Sequence, residues 1–400
     1  MKLFYKALAD HGKVVHGVVV ANTPTEAAKY LRSHKLFPIM IKEESGGKLF
    51  GAFNFQKKMK FADVIFFTRQ LSSMLESGLT LMQALSIFRN QVEKKVVYDI
   101  ISGIITEVQE GKSLSDALSK YPDSFSPIYV SLIKTAEGSG LLDKILLRMA
   151  NDLEKQQKLK SQIKSALLYP VIVIVMMVLV VFVMMIAVIP QLKSLYGSLN
   201  IELPLPTQIL ISISDFTLTF WPLMIVSVFG GIYGFRKWHQ TPSGKFLVDT
   251  FLLRIPIFGK LIKQSILTEI SRTLSLLIGS GNLVVDSLQQ ISSIVGNSLY
   301  EKAIAQVADR VTKGITVGDA MAVSPLFPPI FIELVKIGEQ TGKLEDSLQR
   351  ASDYFEREVE QTVKTLTTAM EPIIMLILGV GVGFLLIAVI TPIYKLSTSF

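Results

Sequence analysis

Three long apolar segments divide a chain that is otherwise amphipathic. Residues 171–189 are nineteen consecutive apolar positions between two prolines, enough α-helix to cross roughly 28 Å of hydrocarbon. Residues 216–235 and 373–390 form two further runs, and polar residues interrupt the first of these two. The pattern predicts transmembrane helices at 170–190, 216–235 and 372–392.

The middle run has a second interpretation when it is taken alone. Thr217, Thr219, Pro222 and Ser227 interrupt it, and a buried helix of a soluble domain has a similar composition. The segments on either side of the run decide between the two interpretations.

Those flanking segments are two copies of one sequence. The recurring positions lie 203 residues apart at first and 202 apart later: Arg69 with Arg272, Gly78 with Gly281, Gly111 with Gly314, Glu137 with Glu339, Gly140 with Gly342, and Pro170 with Pro372. Two copies of one water-soluble module should face the same solvent. An even number of crossings must then separate them, so the middle run is predicted to cross the membrane.

Within each copy the apolar spacing is helical. Val64, Phe67 and Leu71 recur at steps of three and four, which places them on one helix face. Gly78 and Gly281 resemble helix ends, so each copy is predicted to be an all-helical bundle. The last helix of the first copy should begin near Leu141 and continue through the proline into the membrane, as a rod of about 75 Å for fifty residues.

The first 45 residues follow another pattern. Segments 4–9, 14–21 and 37–41 are strand-like, with a turn at 10–13 and a short helix at 25–34, which predicts a small α+β domain. A glycine- and lysine-rich stretch follows and is predicted to be a flexible linker whose lysines contact anionic lipid.

The predicted fold class is therefore a mainly α, polytopic membrane protein. Its predicted segments are an α+β domain 1–45, a basic linker 46–60, a first module 61–169, a first span 170–190, an external loop 191–215, a second span 216–235, a connector 236–263, a second module 264–371, a third span 372–392 and a tail 393–400.

Charge gives the orientation. Lysines and arginines cluster before the first apolar run and after the second, whereas the 191–215 loop has only Lys193. Positive residues favour the cytoplasmic side, so the N-terminus and both modules should be cytoplasmic, and the loop and C-terminus periplasmic. The same loops account for the net charge of +8, which disfavours a nucleic-acid partner. Residues 1–10 contain no apolar core of a cleavable secretion signal.

The sequence offers little enzymatic chemistry. It has no cysteine, and its four histidines lack metal-ligand spacing. Gly111-Lys112-Ser113 is not a phosphate-binding loop, because Thr106 stands where that motif needs glycine. We expect no catalytic, cofactor or metal site. One alternative is Ca²⁺ binding by the module carboxylates Asp152, Glu154, Glu356 and Glu358.

The repeated glutamates have two interpretations. Glu137 and Glu339 could form an acid/base pair, but each lies in a short turn sequence, where capping a neighbouring helix is the simpler role.

The apolar runs also carry a packing signal. Gly230 with Gly234, and Gly379 with Gly383, have the spacing that allows close helix contact, although glycines facing lipid would look the same. No ionisable residue lies in the three runs, which argues against a transport permease. A membrane-anchored ligand sensor remains an alternative.

Several motifs resemble one known family. They are Tyr5-Lys6-Ala7 and Gly12-Lys13, the turns Glu137-Gly138-Ser139-Gly140 and Gly338-Glu339-Gln340-Thr341-Gly342, Gln162-Ile163 to Tyr169-Pro170, Val188-Ile189-Pro190 and Leu203-Pro204-Leu205-Pro206. Together they are similar to the type II secretion F protein and type IV pilus platform family, over essentially the whole chain. Ala136 and Met177 depart from the family, which usually has small residues or glycine there.

The resemblance implies a function that the residues alone do not reveal. It implies an inner-membrane platform that couples a hexameric cytoplasmic assembly ATPase to the insertion of pilins or pseudopilins into a fibre. Other implied partners are further inner-membrane subunits, lipid and a second copy of the chain. The choice between a pilus and a secretion pseudopilus stays open, with a slight preference for the pilus.

Overall fold

The computed structural model describes residues 2–8, 14–21, 23–33, 36–43, 58–191, 193–194 and 205–398. They belong to two compact units, Met1–Lys57 and Lys58–Phe400. The turn predicted at 10–13, most of the linker predicted at 46–60 and part of the loop predicted at 191–215 lie outside the described residues.

The N-terminal unit contains a three-stranded antiparallel sheet and one helix. Strands β1 (Lys2–Leu8), β2 (Val14–Val20) and β3 (Phe37–Glu43) pair in the order β2-β1-β3. Helix α1 (Pro24–Ser33) connects β2 to β3 and buries Ala27 and Leu31.

The first copy of the repeat contains six helices. They are α2 (Phe61–Glu76), α3 (Leu81–Gln91), α4 (Lys95–Gln109), α5 (Leu114–Ser119), α6 (Pro127–Ser139) and α7 (Leu142–Val183). Thr80, Ser113 and Ser126 accept hydrogen bonds from backbone N–H groups at the starts of α3, α5 and α6. These three helix starts are thus stabilised by local side chains, which satisfy N–H groups that lack a partner inside the helix.

The second copy follows two further helices, α8 (Leu205–His239) and α9 (Pro242–Arg254). Its helices are α10 (Phe258–Gly279), α11 (Val284–Ser292), α12 (Ser298–Thr312), α13 (Val317–Ala322), α14 (Pro329–Gln340) and α15 (Leu344–Thr398). They correspond in order to α2 to α7. The predicted duplication is confirmed helix by helix.

Aromatic residues fill the centre of each copy. In the first, Phe67 contacts Phe88 and Phe125, with ring centroids 5.2 and 5.8 Å apart. In the second, the rings of Phe327 and Phe331 lie 5.7 Å apart. Such pairs add about 0.5–1.5 kcal/mol beyond their burial, so these rings help to fix how the helices pack.

Two helices are long and apolar enough to cross a membrane, judged over the described residues. One runs from Leu142 to Gln191 as 50 helical residues, with a π-helical turn at Met184–Val188. The other covers Leu344–Phe384 of α15. The predicted rod is confirmed, since α7 begins one residue from Leu141 and passes through Pro170 without ending.

The boundaries of some helices differ from the predicted segments. Helix α8 begins at Leu205, inside the predicted external loop, because Leu205, Ile209 and Ile213 recur at helical spacing and continue the pattern of the second apolar run. Its Ser214 hydroxyl donates to the Met185 carbonyl oxygen over 2.8 Å. Helix α9 lies inside the predicted connector, and α15 continues to Thr398 through most of the predicted tail.

Candidate functional site

Six repeated glycines end helices or follow their ends. Gly78, Gly111 and Gly140 have φ of 85°, 87° and 68°, and their counterparts have 96°, 87° and 67°. A side chain disfavours this left-handed backbone, so glycine is the residue that suits it. The repeated glycines therefore fix three helix stops at equivalent places in each copy: Gly78, Gly111, Gly140, Gly281, Gly314 and Gly342.

The repeated glutamates cap a neighbouring helix. Glu137, near the end of α6, accepts hydrogen bonds from the backbone N–H groups of Leu114 (2.5 Å) and Ser115 (2.9 Å) at the start of α5. Glu339 accepts from Val317 (2.9 Å) and Gly318 (3.2 Å) at the start of α13. A carboxylate is stabilised there by the free N–H groups and the helix dipole. The capping interpretation of the two glutamates is confirmed by these contacts.

An ion pair lies beside the Glu339 cap of the second copy. The Lys336 ammonium lies 3.0 Å from Asp319 in the first turn of α13, and this hydrogen bond lowers the pKa of the Asp319 carboxyl. Gly338 permits the close packing that follows, because a side chain there would collide with Ser347 and the backbone of Leu344. The Lys336–Asp319 ion pair therefore joins α14 to α13, and the close packing at Gly338 joins α14 to α15.

The repeated arginines form the same ion pair in two different environments. Arg69 reaches Glu154 over 2.6 Å on the surface, where 28% and 46% of the two side chains are exposed. Arg272 reaches Glu356 over 2.7 Å, but only 7% and 14% are exposed. These residues correspond by the repeat, so the difference arises from what covers them.

The cover of the second pair is helix α7 of the first copy. Arg148 of α7 pairs with Glu345 at the start of α15 and donates to the Ser275 hydroxyl of α10 over 3.0 Å. Further along, Lys155 pairs with Asp353 over 3.1 Å. Helix α7 therefore lies against α10 and α15 of the second copy and runs in the same direction as α15.

A cavity of about 210 Å³ remains between α7 and α10. The Asp152 carboxylate lines it opposite Arg272. Burial raises the pKa of Asp152, while the positive charge of Arg272 opposes that rise. Within the part of the chain that is described, one Asp152 oxygen and the Arg272 Nε lack a hydrogen-bond partner. The contact between the copies therefore contains incompletely paired charge.

The four carboxylates considered for Ca²⁺ lie in separate contacts. Glu154 and Glu356 pair with the two arginines, Glu358 accepts from Gln264 over 3.0 Å, and Asp152 faces the cavity. Over the described residues, no group of three or more metal-ligating side chains comes together.

The membrane glycines face open space within one chain. No atom lies within 4 Å of a methyl group placed on Gly230, Gly234, Gly379 or Gly383, counting described residues. Close contact of these positions with each other is therefore not seen, and contact with a partner chain stays a prediction.

The predicted site residues thus do not form one centre. In each copy they serve three helix stops, one cap and one ion pair. Two features were not predicted from the sequence. One is the set of α7 residues that contact the second copy. The other is Asp249 of α9, which accepts a hydrogen bond from the Ser298 N–H over 2.7 Å and so caps α12. The Thr241-Pro242 pair, typical of a helix start, could have revealed α9 but not its partner.

The architecture defines a class of protein: a duplicated six-helix module in which the last helix of each copy continues into an apolar segment. The family model described as "Type II secretion system (T2SS), protein F" matches residues 67–190 and 270–392. The chain belongs to this family.

Relatives named as type IV pilus assembly proteins and as type II secretion proteins support the assignment of the chain to this family. The chain is 36% identical to the type IV pilus assembly protein PilC of Thermus thermophilus, over 98% of this chain and 97% of the relative. It is 34% identical to PilC of Pseudomonas aeruginosa over 92% of this chain and 98% of the relative. It is 28% identical to the type II secretion system protein F of Vibrio cholerae over 98% of both chains.

Proposed function

We propose that this chain is the inner-membrane platform of a type IV pilus or type II secretion machine. In this role it couples a cytoplasmic hexameric assembly ATPase to the insertion of pilins or pseudopilins into a fibre, without chemistry of its own. The observation that carries the proposal is the continuity of each module with a helix that is apolar enough to cross a membrane. Higher identity to the two pilus-named relatives favours a pilus.

The proposed topology has three spans, at 170–190, 216–235 and 372–392. The N-terminal α+β domain and both modules face the cytoplasm, where the motor acts, and the C-terminus faces the periplasm. Helix α8 supports the middle span, since its 35 residues include the second apolar run and end in the basic residues Arg236, Lys237 and His239.

A mechanical role follows for the repeated turns. The glutamate cap and the glycine stop lie where the last long helix leaves each bundle, at Leu142 and Leu344. We propose that they fix the angle of that helix, so that a motor-driven movement of the module reaches the membrane. Retained folding together with normal fibre assembly in Glu137→Ala and Gly140→Ala variants would show that this role is wrong.

The topology can be tested by labelling, because the chain has no cysteine. Single cysteines at Ser194 and Ser397 should react with a membrane-impermeant maleimide in intact spheroplasts. A cysteine at Ser324, in the second module, should react only after the membrane is opened. Labelling of Ser324→Cys in intact spheroplasts would contradict the orientation.

The function can be tested by co-purification of the full chain from host membranes, followed by mass spectrometry. We expect to recover an assembly ATPase and pilins or pseudopilins, and the fibre subunit will identify the machine. Recovery of neither, together with substrate-dependent flux in reconstituted vesicles, would favour a transporter instead.

A further inference from the structure

The two copies are equal in fold but unequal in what covers them. We call the surface of α10 and α15 around Asn282, Glu345 and Asp353 the acceptor face of the second copy. Helix α7 and the end of α6 occupy it, with Thr135 donating to Asn282, Arg148 pairing with Glu345 and Lys155 with Asp353. This contact is heterologous: one copy offers a helix edge, and the other offers a face.

The repeat places an equivalent face on the first copy. It consists of Leu79, Asp143 and Asn151, which correspond to Asn282, Glu345 and Asp353. Arg69 and Glu154 lie on it and remain partly exposed, whereas Arg272 and Glu356 on the occupied face are buried. We call this surface the acceptor face of the first copy.

A second observation marks the same place. The Ser275 hydroxyl accepts from Arg148 and donates to the Glu345 carbonyl oxygen, over 3.0 Å in each case. Its counterpart Ser72 is fully buried, and its hydroxyl has no hydrogen-bond partner among the described residues. Ser72 therefore lies beneath the acceptor face of the first copy, and no arginine among the described residues donates to it.

The second copy carries the matching helix edge, which is exposed within the described residues. Ile337, Arg350 and Arg357 correspond to Thr135, Arg148 and Lys155. Both arginines are exposed, and 53% of Ile337 is exposed. We call these residues the donor edge of the second copy.

The two surfaces match at three positions. Arg350 would meet Asp143, as Arg148 meets Glu345, Ile337 would meet Leu79, and Arg357 would meet the uncharged Asn151. Glu76 stands where the occupied face has Gly279, at which a side chain would collide with Arg148 and Glu345, so Arg350 must lie slightly farther from α2 than Arg148 lies from α10. The opposite charges of Arg350 and Asp143 favour this pairing over other registers.

We propose that the acceptor face of the first copy binds the donor edge of the second copy from another molecule of this chain. The contact repeats the intramolecular one, with the long helices of both molecules parallel and pointing to the same membrane. Because a heterologous contact closes into a ring when its rotation allows, two or more chains would alternate first and second copies around an axis along these helices. The contact specifies how one copy of the proposed platform binds another. It rests on the proposed function only in that both molecules lie in the same membrane.

Cross-linking tests the contact in the full chain, which has no cysteine of its own. A chain with Leu79→Cys and a differently tagged chain with Ile337→Cys are produced together, so that Asp143 and Arg350 are retained, and membranes are treated with a short bis-maleimide. We expect a product of doubled mass that carries both tags. The Thr135→Cys/Asn282→Cys chain is the positive control and should link within one molecule. Glu93→Cys, outside the acceptor face, replaces Leu79→Cys in the negative control.

Charge reversal provides the second measurement. Arg350→Glu places a carboxylate opposite Asp143 and should lower the yield of the linked product by about fivefold, whereas Arg350→Lys should retain it. The linking cysteines stay at Leu79 and Ile337 for these variants.

Three results would overturn the inference. They are no product where the positive control links, a yield equal to that of Glu93→Cys, and linkage of Leu79→Cys to another protein instead of a second copy. The assay contains no motor or pilin requirement, so its failure leaves the platform role intact. Conversely, a co-purification without motor or pilin would leave this contact standing.

Discussion

Replacement of Arg272 should damage the protein far more than the same replacement of Arg69. The two arginines are equivalent by the repeat and pair with equivalent glutamates, but Arg272 is 7% exposed and Arg69 is 28% exposed. Arg272→Met leaves the Glu356 carboxylate buried and removes the positive charge opposite Asp152. Loss of one partner of a buried pair costs about 3–5 kcal/mol, whereas a surface pair contributes about 0–1 kcal/mol.

Hydrogen exchange with mass spectrometry on the full chain in detergent is the suitable assay. Trp221 and Trp238 both lie in α8, so tryptophan fluorescence would not report on the modules. A loss of about 3 kcal/mol should reduce the protection of α10 amides roughly 150-fold in Arg272→Met, while Arg69→Met should change α2 by less than about fivefold.

The double variant Arg272→Met/Glu356→Leu is the control for charge. Since it removes the Glu356 carboxylate that Arg272→Met leaves unpaired, it should regain the part of the protection lost through that carboxylate, while Asp152 still lacks the charge of Arg272. Equal losses in Arg69→Met and Arg272→Met, or no recovery in the double variant, would refute the explanation by burial.

Three further predictions concern the cap, the helix stop and the buried acid. Glu339→Ala removes both hydrogen-bond acceptors at the start of α13 and should lower the free energy of unfolding by about 0.5–2 kcal/mol, and Glu137→Ala should have a similar effect. Unchanged unfolding temperatures in both variants would argue against capping. Gly342→Ala should cost about 1–2 kcal/mol, because the backbone has φ of 67° and no atom lies nearby, while Gly338→Ala should cost more since Ser347 stands in the way; the reverse order in denaturant unfolding would contradict this. Asp152→Asn should stabilise the chain increasingly as the pH rises. Burial raises the pKa of the folded Asp152, so the stability that its protonated form gives below about pH 4 is lost as the pH rises through that pKa. An equal difference in unfolding temperature between the variant and the unchanged chain at pH 4 and at pH 8 would contradict this prediction.

The sequence was sufficient to predict features that depend on local chemistry and repetition. Gly78 and Gly281 end helices because a left-handed residue is needed there, whatever surrounds it. The rod formed by α7 follows from uninterrupted helical sequence, and the duplication follows from positional identity. The capping role of Glu137 was predicted from its turn sequence, but the helix that it caps, α5, was not, because Leu114 lies 23 residues away in the chain.

Features that depend on contacts between distant segments could not be predicted. Arg69 and Arg272 have the same local sequence, and only the position of α7 makes one surface and the other interior. Nothing near Asp249 in the sequence points to Ser298, 49 residues away. The contact of α7 with the second copy likewise depends on which face of an amphipathic helix remains free after its own bundle is built.

The chain that joins the two copies has a thermodynamic consequence for the ion pairs between them. Arg148–Glu345 and Lys155–Asp353 have side chains that are 30–42% exposed, and such pairs are individually weak. Tethering holds the partners at a high effective concentration, so even a weak contact persists inside one molecule. The equivalent contact between molecules has no tether and will depend on how densely the chains populate the membrane. One geometry can therefore be permanent within a subunit and reversible between subunits.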